Sequence, residues 1–431
     1  MEVLSRIGFG LLGLAVLIGI TWLFSNNRRG VDWKLIATGL GLQVLIACFV
    51  LLTPWGASIF DALSRVFVTV LGFTTEGSAF IFGDFAYPEN FGFIFAFQVL
   101  PTIIFFASLM SVLYHMGLMQ KVVEAMTWVI TRVMRVSGAE TLAVSANTFV
   151  GQTEAPLVIR PYVPTMTASE LLTVMVSGMA TIAGGVLGAY VLLLGGGDPV
   201  QQAFYAKHLI TASVMAAPAT LIIAKILVPE TEKPLTMGSV RIEVEKTSAN
   251  LIDAAASGAA DGLKLALNVG AMLLAFIALI ALLNAPLVWL GEVTGLQEIV
   301  GRPTDMSALL GALLAPLAWI IGVPWQDAPT IGGLIGTKVV LNEFVAYVQL
   351  GEILRGNVEG TSLTPQGALI ATYALCGFAN FSSIAIQIGG IGGIAPNRRA
   401  DLARLGLRAV LGGTIVTMMT ATIAGVLNHF G

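Results

Sequence analysis

Charged residues are scarce in this sequence. Asp, Glu, Lys and Arg make up 11% of the 431 residues, whereas they make up about a quarter of a typical soluble domain. Hydrophobic residues make up 56% of the chain. The composition therefore excludes an ordinary soluble domain and predicts an all-α polytopic membrane protein, surrounded by a lipid bilayer.

The sequence also lacks the usual signatures of metal, disulfide and nucleic-acid chemistry. Both cysteines, Cys48 and Cys376, lie in apolar segments, which excludes a disulfide framework and a zinc site. The three histidines are scattered and fit no ligand spacing. No basic tract is present and the net charge is only -3, so we expect no nucleic-acid partner.

Long stretches without any charge are the main feature that the sequence does have. Seven of them contain about 20 residues or more, which is enough to cross a hydrocarbon core. Together with one shorter stretch they predict eight transmembrane helices. The stretches are Ile7–Asn27, Leu35–Phe60, Phe91–Tyr114, Leu171–Gly197, the shorter Leu209–Ala224, Leu265–Leu290, Gly367–Pro396 and Ala409–Phe430.

Three further apolar blocks, Thr141–Ile159, Met306–Trp325 and Ile331–Leu350, are predicted not to cross the membrane. If only the other eight segments cross, 16 of the 22 Lys and Arg residues fall on one side. This bias marks that side as cytoplasmic and places both termini on the opposite side. The first and third blocks carry Gly or Pro beside a polar centre, which predicts re-entrant helical hairpins. The second block contains two prolines and predicts an interfacial helix.

The order of elements repeats in the two halves of the chain. Each half has an interfacial helix, a hairpin, a helix rich in small and polar residues, and a plain apolar helix. Three crossings per half require the second copy to be inverted, and inverted repeats with broken helices are typical of secondary transporters. We expect the helix breaks at the glycines of 184–185 and 389–393. The predicted domains are 1–115 (scaffold helices), 116–228 (first transport-domain repeat), 229–261 (cytoplasmic linker), 262–292 (scaffold helix) and 293–431 (second transport-domain repeat).

Two glutamates, Glu154 and Glu343, lie within the predicted hairpins. A carboxylate at the bilayer centre costs about 2.5–3.5 kcal/mol, so a membrane scaffold would not keep two of them without a use. Their polar neighbours supply hydrogen-bond donors and acceptors for a polar solute. These neighbours are Asn147, Gln152, Thr153, Ser177, Thr181, Asn342, Asn380, Ser382 and Ser383.

Some of these residues also fit a purely structural interpretation. Ser177 and Thr181 could serve as contacts between helices, as small polar residues often do in membranes. Lys338 could pair with one of the glutamates. On periodicity alone, Val186 and Phe378 are core residues.

Four longer motifs contain many of these polar residues. They are Gly151-Gln-Thr-Glu154-Ala-Pro, Gly336-Thr-Lys-Val-Val-Leu-Asn-Glu343-Phe-Val-Ala-Tyr347, Tyr373-Ala-Leu-Cys-Gly-Phe-Ala-Asn380-Phe-Ser-Ser383-Ile and Ile391-Gly-Gly-Ile-Ala-Pro-Asn-Arg-Arg399. These motifs resemble those of the concentrative nucleoside transporter family, and the similarity extends over roughly residues 91–431. The resemblance implies a homotrimer, each protomer with a scaffold and a moving transport domain, in the cell (inner) membrane. It also implies nucleoside uptake coupled to a cation gradient, usually of sodium.

The same resemblance implies a role for individual residues. The nucleobase would be met by Gln152, Thr153 and Glu154, with Val186 and Phe378 packed against it. The ribose hydroxyls would be held by Glu343, Asn380 and Ser383. A sodium ion would be bound by Asn147, Thr181 and the backbone carbonyls of Val150 and Ile182.

Three alternatives to a sodium-coupled nucleoside symporter stay open at this point. The first is coupling to protons. The second is a hairpin-type transporter of another small polar solute, although two carboxylates in the site would repel a dicarboxylate. The third is an intramembrane enzyme that uses Glu154 and Glu343 as an acid–base pair, but no hydrolase, zinc or phosphate-binding motif accompanies them.

Overall fold

The computed structural model describes residues 2–238, 248–295, 297–298, 303–358 and 360–428, and α-helices dominate them. The α-helices are α1 Glu2–Leu23, α2 Trp33–Leu52, α3 Pro54–Phe82, α4 Pro88–Phe91, α5 Phe95–Gln98, α6 Leu100–His115, α7 Leu118–Met134, α8 Gly138–Asn147, α9 Ala155–Val158, α10 Ala168–Ala180, α11 Gly184–Gly195, α12 Pro199–Leu227, α13 Leu251–Val293, α14 Met306–Ile320, α15 Ala328–Val340, α16 Glu343–Leu354, α17 Pro365–Leu375, α18 Phe381–Ile394 and α19 Arg399–Leu427. Short 3-10 helices lie at Arg28–Gly30, Gly83–Ala86, Val163–Thr165 and Pro396–Arg398.

Eight helical stretches of the described residues are long and apolar enough to cross a membrane. The number agrees with the prediction, but the set differs in one member. Pro54–Phe91 is included, whereas the predicted segment Gly367–Pro396 is divided into the two shorter helices α17 and α18. The full set is Leu4–Leu23, Trp33–Leu52, Pro54–Phe91, Phe95–His115, Ala168–Gly195, Pro199–Leu227, Leu251–Val293 and Pro396–Leu427.

Two helices are interrupted by a few residues of extended backbone. The first interruption lies between α10 and α11, where Thr181 has φ -128° and ψ 169°. The second lies between α17 and α18, where Asn380 has φ -142° and ψ 166° and caps α18 through its side chain. An asparagine in this backbone conformation satisfies a free N–H group of the following helix, and this favours a helix start at that position.

The predicted break at residues 389–393 is wrong, because α18 continues through these glycines to Ile394. Glycine weakens a helix by only about 0.5–1 kcal/mol per residue relative to alanine, which neighbouring contacts offset. A side chain at Gly390 would meet Thr153, and one at Gly392 would meet Arg399. These glycines therefore allow close packing and do not interrupt the helix. The break predicted at 184–185 lies close to the observed one, since Gly184 begins α11.

Each half of the chain contains a pair of helices that turns at its glutamate. In the first half α8 ends at Asn147, and α9 begins directly after Glu154. In the second half α15 ends at Val340, and Asn342 caps α16 through its side chain. The predicted order of hairpin, interrupted helix and long helix is present in both halves. The inverted relation of the halves stays a prediction.

The long helix α13 differs from the predicted linker and scaffold boundaries. It begins at Leu251 and not near residue 262, so the linker is shorter than expected. Residues 239–247 of that linker lie outside the described part of the chain. α13 packs closely along α6. Gly258 and Gly262 allow this close approach, because a side chain at either position would collide with α6. The Ser108 hydroxyl in α6 donates a hydrogen bond to the Ala255 carbonyl at 2.9 Å.

The four loops predicted to be cytoplasmic lie at one end of the molecule. The Asn26 amide donates to the Leu227 carbonyl at 3.0 Å, which joins the first basic loop to the end of α12. The Arg398 guanidinium donates to the Met166 carbonyl, which joins the last basic loop to the start of α10. Lys207 is a basic residue predicted to lie on the opposite side of the membrane. It precedes Leu227 by 20 residues in α12, or about 30 Å at a rise of 1.5 Å per helical residue.

A buried ionic cluster fixes this basic end. The Lys225 ammonium in α12 lies 2.9 Å from a Glu140 carboxylate oxygen in α8 and 3.3 Å from a Glu230 oxygen. It also donates to the Ser169 hydroxyl in α10 at 3.1 Å. One lysine therefore joins the starts of the first hairpin and the first interrupted helix to the end of α12.

We predict that Lys225→Met destabilises the protein by about 3–5 kcal/mol, because it leaves buried carboxylates without their cation. The apparent Tm of the detergent-solubilised protein should fall by several degrees. Lys264→Met is the matched control, since Lys264 and its partner Asp261 are both 77% exposed. Equal Tm values for the two variants would contradict a stabilising role for the cluster.

Candidate functional site

Gln152, at the turn of the first hairpin, contacts the second half of the chain directly. Its side-chain amide donates to the Ser383 hydroxyl at 3.2 Å, and its side-chain oxygen accepts from Gln387 at 3.0 Å. Gln387 also donates to the Met175 carbonyl in α10 at 2.9 Å. Gln152 is only 8% exposed. These bonds hold the first hairpin between α10 and α18.

Two glycines make this close approach possible. A β-carbon at Gly178 in α10 would lie 2.7 Å from the Gln152 Cβ, and one at Gly390 in α18 would lie 2.9 Å from the Thr153 Cγ2. Neither position has room for a side chain unless the hairpin moves. Glycine is therefore needed at both positions for backbone proximity and not for an unusual φ angle.

Glu343 is buried at the first position of α16. Its two carboxylate oxygens accept hydrogen bonds from the Tyr190 hydroxyl at 3.0 Å and from the Asn380 side-chain amide at 3.1 Å. Tyr190 lies in α11, and its ring centroid is 4.5 Å from that of Tyr347. The negative charge also lies at a helix N-terminus, where the helix dipole stabilises it. The carboxylate thus joins both interrupted helices to the second hairpin.

Asn380 completes a continuous hydrogen-bonded chain between the two hairpins. Its side-chain oxygen accepts from the Ser383 amide at 2.9 Å and from the Ser382 hydroxyl at 2.7 Å, while its nitrogen donates to Glu343. With the bond from Gln152 to Ser383, the chain runs Gln152–Ser383–Asn380–Glu343. We call these four residues the bridging network.

The other predicted solute residues lie around this network. The Glu154 carboxylate accepts from the Gly151 amide within its own loop at 2.9 Å, and Glu154 and Thr153 are exposed. Val186 is buried in α11, and Phe378 is partly buried beside Asn380. Glu154 therefore keeps its carboxylate accessible, whereas Glu343 is enclosed by protein.

Asn147 and Thr181 meet where α8 ends and α10 is interrupted. The Thr181 hydroxyl donates to the Asn147 carbonyl at 2.9 Å and to the Ser177 carbonyl at 3.1 Å. The Asn147 side chain, with its amide oriented to suit its neighbours, donates to the Gly151 carbonyl at 3.3 Å and accepts from the Ser177 hydroxyl at 3.0 Å. All four predicted ion ligands thus belong to two segments of backbone, 147–150 and 181–182, which the bond from Thr181 to Asn147 joins.

The backbone carbonyls of Val150 and Ile182 accept no hydrogen bond from a backbone donor of the described residues. Like the oxygens of Thr181 and Asn147, these carbonyls are neutral oxygen atoms of the kind that suits a hard cation. The described residues contain no cluster of three or more His, Cys, Asp or Glu side chains that could hold a metal ion.

Two residues of this region, Tyr190 and Gln387, were not predicted from the sequence. Each was detectable, since Tyr190 is the one side chain with a hydrogen-bonding group in α11 and Gln387 is the one amide side chain in α18. A polar group in an apolar membrane helix needs a partner. Tyr190 finds Glu343, and Gln387 finds Gln152.

Models of one protein family match most of this chain. The model of the Na+ dependent nucleoside transporter C-terminus matches residues 208–425, and that of the N-terminus matches residues 12–85. A third model, described as nucleoside recognition, matches residues 96–197. The chain belongs to the Na+ dependent nucleoside transporter family.

Similar proteins of this nucleoside transporter family occur in bacteria and mammals. An uncharacterized transporter of Haemophilus influenzae is 43% identical over 100% of this chain and 99% of its own length. The mouse sodium/nucleoside cotransporter 1 is 40% identical over 96% of this chain and 63% of its own length. The CNTnw structure in an inward-facing substrate-bound state has a TM-score of 0.87 and 42% identity, and covers 98% of both chains.

Membership of this family confirms several predictions. The protein is a multi-pass membrane transporter of nucleosides and not an enzyme. The acid–base interpretation of Glu154 and Glu343 is therefore excluded. The all-helical fold is also confirmed by the match to CNTnw.

We predict that Gly178→Ala lowers the affinity for uridine about tenfold, or about 1.4 kcal/mol, because the new methyl group displaces Gln152. Gly389→Ala is the control, since a β-carbon there meets nothing within 4 Å. Uridine binding to the solubilised protein would be measured by calorimetry. Unchanged affinity in Gly178→Ala would mean that the position of Gln152 is not critical.

Proposed function

We propose that this nucleoside transporter is a symporter that imports nucleosides across the cell membrane with a sodium gradient. The observation that carries the proposal is the bridging network, in which polar side chains from both hairpins meet beside two helix interruptions. Such a site near interrupted helices is the arrangement that secondary transporters use for solutes and ions.

Glu343 and Asn380 would hold the ribose. Two vicinal hydroxyls match the two oxygens of one carboxylate, and hydrogen bonds to a charged acceptor are about twice as strong as neutral ones. Each carboxylate oxygen accepts one hydrogen bond in the structure, from Tyr190 or Asn380. Each oxygen has a second lone pair, so the carboxylate keeps capacity for the sugar. Ser383 would add a further hydroxyl.

Gln152, Thr153 and Glu154 would hold the nucleobase. An amide side chain both donates and accepts, as the edge of a nucleobase also does. The accessible Glu154 carboxylate would accept hydrogen bonds from the base, directly or through water. Val186 and Phe378 would pack against its faces.

Sodium would bind to Asn147, Thr181 and the carbonyls of Val150 and Ile182. The loop that carries Val150 also carries Gln152 two residues later. An ion that orders this loop would thereby position Gln152 for the nucleoside. Sodium and the nucleoside would then both bind more tightly to the same conformation of the protein. Such a common preference is the thermodynamic requirement for coupling.

One part of the proposed domain arrangement, the placing of α6 and α13 in one scaffold, is supported by their close packing. The helices of residues 1–115 and α13 would form the scaffold, since α6 and α13 pack closely together. The helices of 116–228 and 293–431 would form the transport domain. We further propose a homotrimer, with the basic end of each protomer in the cytoplasm and both termini outside.

The decisive experiment is uridine uptake into proteoliposomes with imposed ion gradients. We expect uptake when sodium is higher outside and none when only a proton gradient is present. If a proton gradient drives uptake and a sodium gradient has no effect on it, the transporter is coupled to protons and the proposed sodium coupling is wrong. If uridine is not transported under either gradient while another small polar solute is, the proposed substrate would be wrong.

We predict that Glu343→Gln weakens uridine binding about tenfold to a hundredfold, because hydrogen bonds to a charged acceptor contribute about 1.5–3 kcal/mol. Dideoxyuridine, which lacks both hydroxyls, should bind the variant and the original protein about equally. Glu352→Gln is the control, since this carboxylate in the same helix pairs with Arg355 instead. An equal loss of affinity for uridine and dideoxyuridine would show that Glu343 does not bind the ribose hydroxyls.

Thr181→Ala should raise the sodium concentration for half-maximal uridine uptake about tenfold, because the ion loses one side-chain oxygen. The maximal rate at saturating sodium should change much less. Thr173→Ala in the same helix is the control, since the Thr173 hydroxyl bonds only its own helix, at the Ser169 carbonyl. The same sodium dependence in both variants would remove Thr181 from the proposed ion site.

A further inference from the structure

Lys338 is a lysine buried in the second hairpin. It lies in the last turn of α15 with none of its surface exposed to solvent. Its ammonium donates to the Ala374 carbonyl and to the Thr417 hydroxyl, each at 2.9 Å. No carboxylate in the described ranges forms an ion pair with it, Glu343 included. Because burying an ammonium is costly, its position calls for an explanation.

The Ala374 carbonyl lies at the end of α17, where the second interrupted helix stops. Carbonyls at a helix C-terminus lack intrahelical partners and carry the negative end of the helix dipole, so they attract cations. The Lys338 ammonium therefore supplies a positive charge to one of the free carbonyls at this interruption. Thr417 in α19 provides the second oxygen.

The first half of the chain has a corresponding arrangement without a lysine. There α10 stops at Ala180, and the proposed sodium ligands Thr181 and Ile182 follow directly. In both halves a cation would meet backbone oxygens at the end of the first part of an interrupted helix. In the second half that cation is part of the protein.

The two interruptions also touch each other. A β-carbon at Gly377 would lie 2.8 Å from the Met179 carbonyl oxygen and 3.0 Å from the Ala180 carbonyl carbon. Gly377 directly precedes Phe378, and Asn380 follows three residues after it. The segment that begins at the Lys338-bound carbonyl therefore contacts the end of α10 and also carries two of the proposed nucleoside residues.

We propose that the Lys338 ammonium is a built-in cation at the second helix interruption, the counterpart of the sodium ion in the first, and that it positions Phe378 and Asn380 for the nucleoside. The comparison with sodium rests on the proposed function, whereas the positioning role rests on the contacts of Lys338 alone. Lys338 is a positioning residue, since the groups that meet the nucleoside lie beyond it.

Two substitutions separate the charge of Lys338 from its volume. Lys338→Met removes the charge and fills most of the space, while Lys338→Ala removes the charge and leaves room for a small cation. Uridine binding to the solubilised protein would be measured at fixed sodium, with and without methylammonium. Lys264→Met is the control for loss of an exposed lysine.

We expect both variants to bind uridine at least about tenfold more weakly, as for the loss of a charge-assisted hydrogen bond. Methylammonium should restore binding in Lys338→Ala and have no effect in Lys338→Met, a difference that a purely structural role would not produce. Binding by Lys338→Met within twofold of the original protein would overturn the proposal. An equal loss of uridine binding in both variants that methylammonium does not restore would also overturn the proposal.

A measurement on the unaltered protein covers the case in which the variants do not fold. Uridine uptake should depend on sodium with a Hill coefficient of about 1, because the second interruption already holds a cation. A coefficient of about 2, with a second sodium ion beside the Ala374 carbonyl in a structure, would overturn the proposal. Absence of any sodium-driven uptake would instead reject the proposed function and leave the binding test of Lys338 valid.

Discussion

Backbone groups left free by an interrupted helix must find hydrogen-bond partners, because the lipid core around a membrane protein supplies none. The positions of the polar side chains in this transporter follow from that constraint. Asn380 caps α18 and Asn342 caps α16. Thr181 donates to the carbonyl at the end of α8, and Lys338 donates to one at the end of α17. The apolar helices around them provide the packing that keeps these groups in place.

The groups that satisfy the interruptions are also the groups proposed to bind the nucleoside and the ion. Asn380 illustrates this double use, since its oxygen caps a helix while its nitrogen donates to Glu343. A solute that bonds Asn380 or Glu343 therefore acts on the backbone of the second interruption. Gln152 links the same network to the first hairpin. Hydrogen bonds thus join both halves of the chain at this site, and in the proposed function binding at one half would affect the other.

The sequence was sufficient to predict that the chain turns near Glu154 and Glu343 and that polar side chains lie close to these turns. Glu154 and Glu343 stand out because charge is costly in an apolar segment, and Gln152 lies beside one of them. The interruption before Asn380 was placed too late, because glycine content suggested a helix break at 389–393, whereas the helix continues there and Gly390 and Gly392 allow close packing. Tyr190 could be recognised as the one polar side chain of α11, but its contact with Glu343 was not predicted, because the two residues are 153 positions apart. Contacts over such distances depend on tertiary packing, which residue spacing does not reveal.

The central claim is that one nucleoside lies across both halves, with its base beside Gln152 and its ribose beside Glu343. A structure of the protein with uridine and sodium bound tests this claim most directly. We predict ribose hydroxyls within hydrogen-bonding distance of Glu343 and Asn380, and the base within reach of Gln152. Uridine bound in the opposite orientation, or bound through residues of one half alone, would contradict the account.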